Sequence, residues 1–129
     1  MKRARPDPDG RSLMANAARS LRRKNITDLA RGTWSRIWRE PMPSGWKVYL
    51  VRKTVIQHAY GRHVCGVTQH DRKTILIGRN TDHYSFRTMV HELAHLRTLG
   101  EELDHGPRWE YEFHRVAHPA LGAELDKDI

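Results

Sequence analysis

At 129 residues and 15.1 kDa the chain has the size of one domain, long enough to bury a stable core without covalent staples. Its single cysteine, Cys65, excludes an intramolecular disulfide and a four-cysteine zinc ribbon, and no run approaches the ~20 apolar residues that span a bilayer. The net charge of +8 is uneven: residues 1–40 carry 11 Lys/Arg against 4 Asp/Glu, and residues 41–129 carry 12 against 11.

The N-terminus lacks the apolar stretch of a signal peptide, so the expectation is a soluble, cytoplasmic protein with no membrane partner. Residues 1–10, with two prolines, a glycine and mixed charge, offer nothing to bury and read as disordered. Residues 11–24 have helical spacing through Leu13/Met14, Ala17/Ala18 and Leu21, with basic residues gathered at the C-terminal end. A second helical pattern follows through Ile26, Leu29/Ala30, Trp34 and Ile37/Trp38. Arg19, Arg22, Arg23, Arg31, Arg36 and Arg39 decorate these two helices. They are the candidate contacts to nucleic-acid phosphates, set against the plainer reading of solvated basic faces. Trp34 and Trp38 are expected in the core.

Glu40 to Gly45, with two prolines, marks a turn or linker. It divides the chain into a basic helical extension, 1–40, and a body, 41–129, that together make one compact unit. Trp46 to Arg52 reads as a strand. Residues 53–63 are ambiguous, with a bend at Ala59-Tyr60-Gly61. Val64 to Gln69 and Thr74 to Gly78 read as two strands joined by the turn His70 to Lys73, an antiparallel hairpin. The next helix takes Thr81 or Asp82 as its N-cap, anchors itself through Phe86, Met89/Val90, Leu93 and Leu96, and stops at Leu99-Gly100. After the acidic run Glu101 to Asp104, Pro107 starts a last helix with Trp109, Phe113 and Val116/Ala117 on its apolar stripe, ending before Pro119. Residues 119–129 carry no signal.

The chemistry-bearing stretch is His91-Glu92-Leu93-Ala94-His95. Histidines four apart share one helix face and can hold one metal ion, while Glu92 lies about 100° around, beside it. The pattern pairs two imidazole ligands with a carboxylate able to take a proton from a metal-activated water. With nine His in the chain, chance would produce it about 0.03 times. Catalytic zinc takes three protein ligands and keeps a position open. His105, set at a helix start by Gly106-Pro107, is the favoured third ligand, because Gly106 permits a tight reversal. Glu110, Glu112 and Asp104 stay open as alternatives. Tyr60, Tyr111 and His114 are candidates to stabilise an oxyanion.

His91-Glu92-Leu93-Ala94-His95 followed by His105-Gly106-Pro107-Arg108-Trp109 resembles the SprT-like (Spartan-like) zinc metalloproteases, over residues 46–118. The resemblance implies an α+β, zincin-like domain, here with a short antiparallel three-stranded sheet packed against the motif helix and a C-terminal helix, preceded by the N-terminal helices. It implies one zinc per chain on His91, His95 and His105, Glu92 as general base, a protein or peptide substrate, and proteolysis of DNA-associated proteins. Many relatives carry a zinc ribbon that a single cysteine forbids, so DNA contact would fall to the basic N-terminal third. Two other classes compete: a nucleic-acid-binding protein with a structural zinc closed by a fourth ligand such as Asp104, and a regulatory peptidase of ImmA/IrrE type.

Overall fold

The computed structural model describes residues 23–80, 83–100 and 104–129. Residues 11–22 of the helix predicted over 11–24, the disordered reading of 1–10, Arg19, Arg22, the proposed caps Thr81 and Asp82, and Glu101, Glu102 and Leu103 lie outside the described residues; Lys24, the last residue of that predicted helix, is in a strand instead.

The fold is α+β with a mixed sheet. A short strand β1 (Lys24–Asn25) leads into helix α1 (Thr27–Trp38), then β2 (Lys47–Arg52), helix α2 (Lys53–Tyr60), β3 (Gly66–Gln69), β4 (Thr74–Asn80), β5 (His83–Tyr84) and helix α3 (Phe86–Arg97). The sheet order is β1-β2-β4-β3, with β5 on β4. The β3–β4 hairpin is antiparallel with Val67 opposite Leu76, as the turn at His70 to Lys73 predicts. The expectation of a three-stranded antiparallel sheet is corrected in two ways. Among the described residues the sheet has five strands, and β2 runs parallel to β4, Val48 beside Ile75 and Leu50 beside Ile77. Parallel neighbours need a crossover. The ambiguous residues 53–63 supply part of it as α2, which ends at Gly61 (φ +125°).

Strand alternation sorts the side chains onto two faces. Val48, Leu50, Ile75 and Ile77 point into the main core with α1, α3 and the C-terminal helix. Val51 and Leu76 point the other way and pack with Ile56 of α2. The core runs across the turn after α1: Ile26, Ala30, Trp34 and Ile37 pack in one cluster with Trp46 and Val48. Gly78 sits where α2 crosses β4, since a Cβ there would lie 3.0 Å from the Cys65 carbonyl oxygen and 3.3 Å from Lys53 Cα.

The N-cap of α3 is Ser85, whose Oγ accepts from the Thr88 N–H at 3.3 Å. The chain between Asn80 and the helix is thus longer than predicted, because His83–Tyr84 continues the sheet as β5. Phe86, Met89, Val90, Leu93 and Leu96 are buried, as the predicted stripe requires. Each full burial of such a side chain contributes about 1.5–3 kcal/mol, which fixes the rotation of α3 about its axis.

After Gly106 a continuous helix runs from α4 (Pro107–Glu110) through a π-helical stretch (Tyr111–Ala117) into α5 (His118–Leu121). It does not end before Pro119. A proline ring clashes with the carbonyl four residues back, and the wider π turn before it relieves that clash; the His118 N–H reaches five residues back to the Phe113 carbonyl. The terminal residues also have structure. Leu121 and Leu125 are buried, and Ile129 exchanges two 2.8 Å backbone hydrogen bonds with Tyr84 of β5. Among the described residues no helix is long and apolar enough to cross a membrane.

Candidate metal centre

One stripe of α3, Arg87, Thr88, His91, Glu92 and His95, continued by Thr98 and Leu99 just past its C-terminus, forms the floor of a cleft of about 860 Å³. Strand β3 makes one wall. It lies so close that a Cβ on Gly66 would meet Glu92 Cγ at 3.0 Å and Thr88 Cγ2 at 3.1 Å. Asp104 and His105 close the other side. Behind them the C-terminal helix packs on α3, with Trp109 4.9 Å and Phe113 6.0 Å from the His91 ring, centre to centre.

His91 and His95 stand one turn apart, their Nε2 atoms separated by 3.2 Å. His105 brings its own Nε2 to 3.0 Å from each. The three nitrogens thus form a nearly equilateral triangle. Two imidazoles on a tetrahedral zinc, bonded at about 2.0–2.1 Å, would be about 3.3 Å apart, so the donor set fits such an ion. Among the described residues this is the one cluster of three or more His, Cys, Asp or Glu side chains close enough to hold a metal ion.

His105 reaches the triangle through its own backbone. It takes a left-handed conformation, φ +56°, whereas Gly106 is extended at φ −74°, ψ −170°. The tight reversal assigned to Gly106 therefore occurs one residue earlier, at a position where a non-glycine residue is strained. Trp109, whose ring centre lies 4.3 Å from that of His105, backs the imidazole, and its indole N–H donates to the His91 carbonyl at 3.3 Å.

The alternative third ligands lie elsewhere. Glu112 accepts a 2.7 Å hydrogen bond from the Trp38 indole and lies 3.8 Å from Arg97. Glu110 faces His114 at 3.5 Å. Asp104 lies 3.4 Å from His95 Nδ1, on the far side of that ring from the Nε2 triangle. A carboxylate there fixes the tautomer that leaves Nε2 free to ligate.

Glu92 is buried, and its Oε2 lies 3.8 Å from His91 Nε2, beside the triangle. Burial pushes its carboxyl up to about 7, opposed by a 2.8 Å hydrogen bond donated by Thr68 Oγ1 to Oε1. Burial first, then the neighbouring imidazoles, pulls His91 down to about 4, so at neutral pH it is in the uncharged form that binds metal. Thr68 carries no signal in the sequence, being one polar residue in a short strand. Asp104 and Trp109 each flank the His105-Gly106-Pro107 turn, and that proximity was the available signal. Of the oxyanion candidates, Tyr60 lines the cleft, its hydroxyl accepting from Gln69 at 2.7 Å, whereas Tyr111 and His114 do not line it.

Of the candidate phosphate contacts, Arg31 and Arg39 are exposed. Arg23 lies 4.0 Å over the Tyr49 ring. Arg36 makes a two-pronged pair with Glu124, at 2.6 and 3.0 Å, tying α1 to the C-terminal residues. No protein-family model, no curated protein and no solved structure matches the chain.

Proposed function

We propose that the protein is a zinc-dependent metallopeptidase of the SprT-like, zincin type, binding one zinc per chain on His91, His95 and His105. The observation that carries this reading is the convergence of three imidazole nitrogens within 3.0–3.2 Å, with a buried carboxylate beside them. Among the described residues no fourth ligand joins the cluster, which suits a catalytic ion with an open position better than a closed structural site. A bound zinc would supply Lewis-acid polarisation of a peptide carbonyl and bring the acidity of a water near neutral pH.

Glu92 then acts as the base and acid. It takes a proton from the attacking water and delivers it to the leaving amine. Thr68 holds Oε1 and leaves Oε2 toward the cluster. Strand β3 is the outermost strand on its side of the sheet among the described residues. Because Cys65 O accepts from Gly78 N–H, the alternation of the ladder turns the backbone groups of Gly66 and Thr68 away from β4. An extended peptide can pair there, directly beside Glu92.

A DNA-associated protein substrate extends this proposal. Its support is the charge of the N-terminal third and the resemblance of the two-part motif, with Arg36 set aside for Glu124. Zinc-edge X-ray absorption of the purified protein tests the centre. Three imidazole nitrogens and one oxygen from water are expected, and zinc content should fall well below one per chain in His105→Ala. Four protein ligands would favour the structural-zinc alternative instead.

A further inference from the structure

We propose that Arg87 selects the substrate: its guanidinium binds a substrate carboxylate within about two residues of the bond cleaved. The proposal rests on the metallopeptidase reading and adds the chemistry of what is cut.

Arg87, His91 and His95 are spaced by four residues and share one stripe of α3. At 1.5 Å per residue, Arg87 stands ~6 Å along the axis from His91. It lines the same cleft, at the N-terminal end of the helix. An extended peptide advances about 3.3 Å per residue, so a ~6 Å offset corresponds to about two residues from the reacting bond. The side chain is half-buried and anchored, with its guanidinium carbon 5.0 Å over the Phe113 ring. Stacking on an aromatic face orients a guanidinium without neutralising it.

Other arginines of this fold have carboxylate partners. Arg36 pairs with Glu124, and Arg97 pairs with Glu40 and lies near Glu112. No carboxylate of the described residues forms an ion pair with Arg87. Among the described residues the acids lining the cleft are Glu92, committed to the cluster, and Asp104, which lies at His95. An oriented guanidinium on the floor of a cleft, with no carboxylate partner among the described residues, matches the two-pronged geometry of a carboxylate. That carboxylate can be an acidic side chain or the free C-terminus of a short peptide.

The test uses the zinc-loaded full chain and matched peptides. One arm compares Glu with Gln at each of two positions on either side of the bond. The other compares a C-terminal carboxylate with its amide. Mass spectrometry of mixed digests gives relative kcat/KM. The wild type should favour one carboxylate-bearing member by about tenfold or more, as expected for a charged hydrogen-bonded pair, and Arg87→Gln should bring that ratio close to one. The arm in which the ratio appears identifies the source of the carboxylate. Because each ratio is taken within one protein, a smaller folded fraction leaves it unchanged. No preference in the wild type, or an equal preference in Arg87→Gln, overturns the proposal.

Binding of the same fluorescein-labelled peptides to zinc-loaded Glu92→Gln, with and without Arg87→Gln, separates the two readings. An Arg87-dependent preference in binding, with no peptide cut by the wild type, would remove the peptidase reading and leave the carboxylate site. Binding indifferent to Arg87 removes the carboxylate site.

Discussion

Thr68 Oγ1 donates a 2.8 Å hydrogen bond to Glu92 Oε1, linking the outermost strand β3 to the buried carboxylate of α3. Gly66, two residues earlier on the same strand, leaves the space that the Glu92 side chain fills, since a Cβ there would lie 3.0 Å from Glu92 Cγ. The strand therefore sets the rotamer of the proposed base. Thr68→Val keeps the shape and removes the donor. Its expected effect is a fall in kcat of about tenfold, the scale of one hydrogen bond to a charged group, with zinc content unchanged. Thr68→Ser should recover most of the loss. A Thr68→Val enzyme with wild-type kcat, or one that has lost its zinc, would show that the hydrogen bond does not position the base.

The raised Glu92 carboxyl also makes a forecast for the metal-free protein. Its folded value, about 7, lies above its ordinary 4.5. Between those values the folded state keeps a proton that the unfolded state has released, so stability falls as pH rises through this window and the full penalty is present above it. A tenfold difference in acidity between the folded and unfolded states is worth on the order of 1.4 kcal/mol. Metal-free Glu92→Gln should therefore gain stability over metal-free wild type by on the order of 3 kcal/mol at about pH 8, a gain that disappears near pH 4. His91, lowered from 6.5 to about 4, acts with the opposite sign, its stabilisation being lost as pH falls through that range. It is present in both proteins and cancels in the comparison. Urea denaturation in chelator at the two pH values measures the difference; a gain independent of pH would contradict the account.

Nucleic-acid binding is best tested by removing residues 1–22. These carry six Lys/Arg against two Asp/Glu. A cut at residue 40 would take α1 with it, and with α1 the buried side chains Ala30, Trp34 and Ile37. If the arginines bind phosphates, the shortened chain should bind a labelled oligonucleotide more weakly and with a shallower salt dependence, by about 0.7–0.9 in slope for each phosphate that is no longer neutralised. Equal affinity and slope for both chains would end the nucleic-acid proposal and leave the metallopeptidase proposal without an assigned target.

The histidine pair and its carboxylate were legible because helix spacing is local: His91, Glu92 and His95 lie within one turn, and the stripe Phe86–Leu96 fixes which way they face. His105 was legible through its neighbour, Pro107, which marks a helix start. The positive φ at His105 was not, since nothing in the residue type announces that it, and not Gly106, makes the reversal. The parallel pairing of β2 with β4 was missed because it joins segments 27 residues apart in register, Lys47 with Thr74, and no turn chemistry encodes such a pairing. Helix α2, KTVIQHAY, is too short for its period to be distinguished from a strand. The π-helical stretch before Pro119 was hidden for a different reason: proline is normally read as a stop, and here the backbone widens to admit it.

The central claim is that a three-histidine zinc centre works with Glu92 as base, and zinc content measured beside casein cleavage tests it most directly. Wild type and Glu92→Gln should each retain one zinc per chain and the same fold, while the variant loses about 10²–10⁴-fold in rate. Cleavage by zinc-replete Glu92→Gln at the wild-type rate would contradict the account.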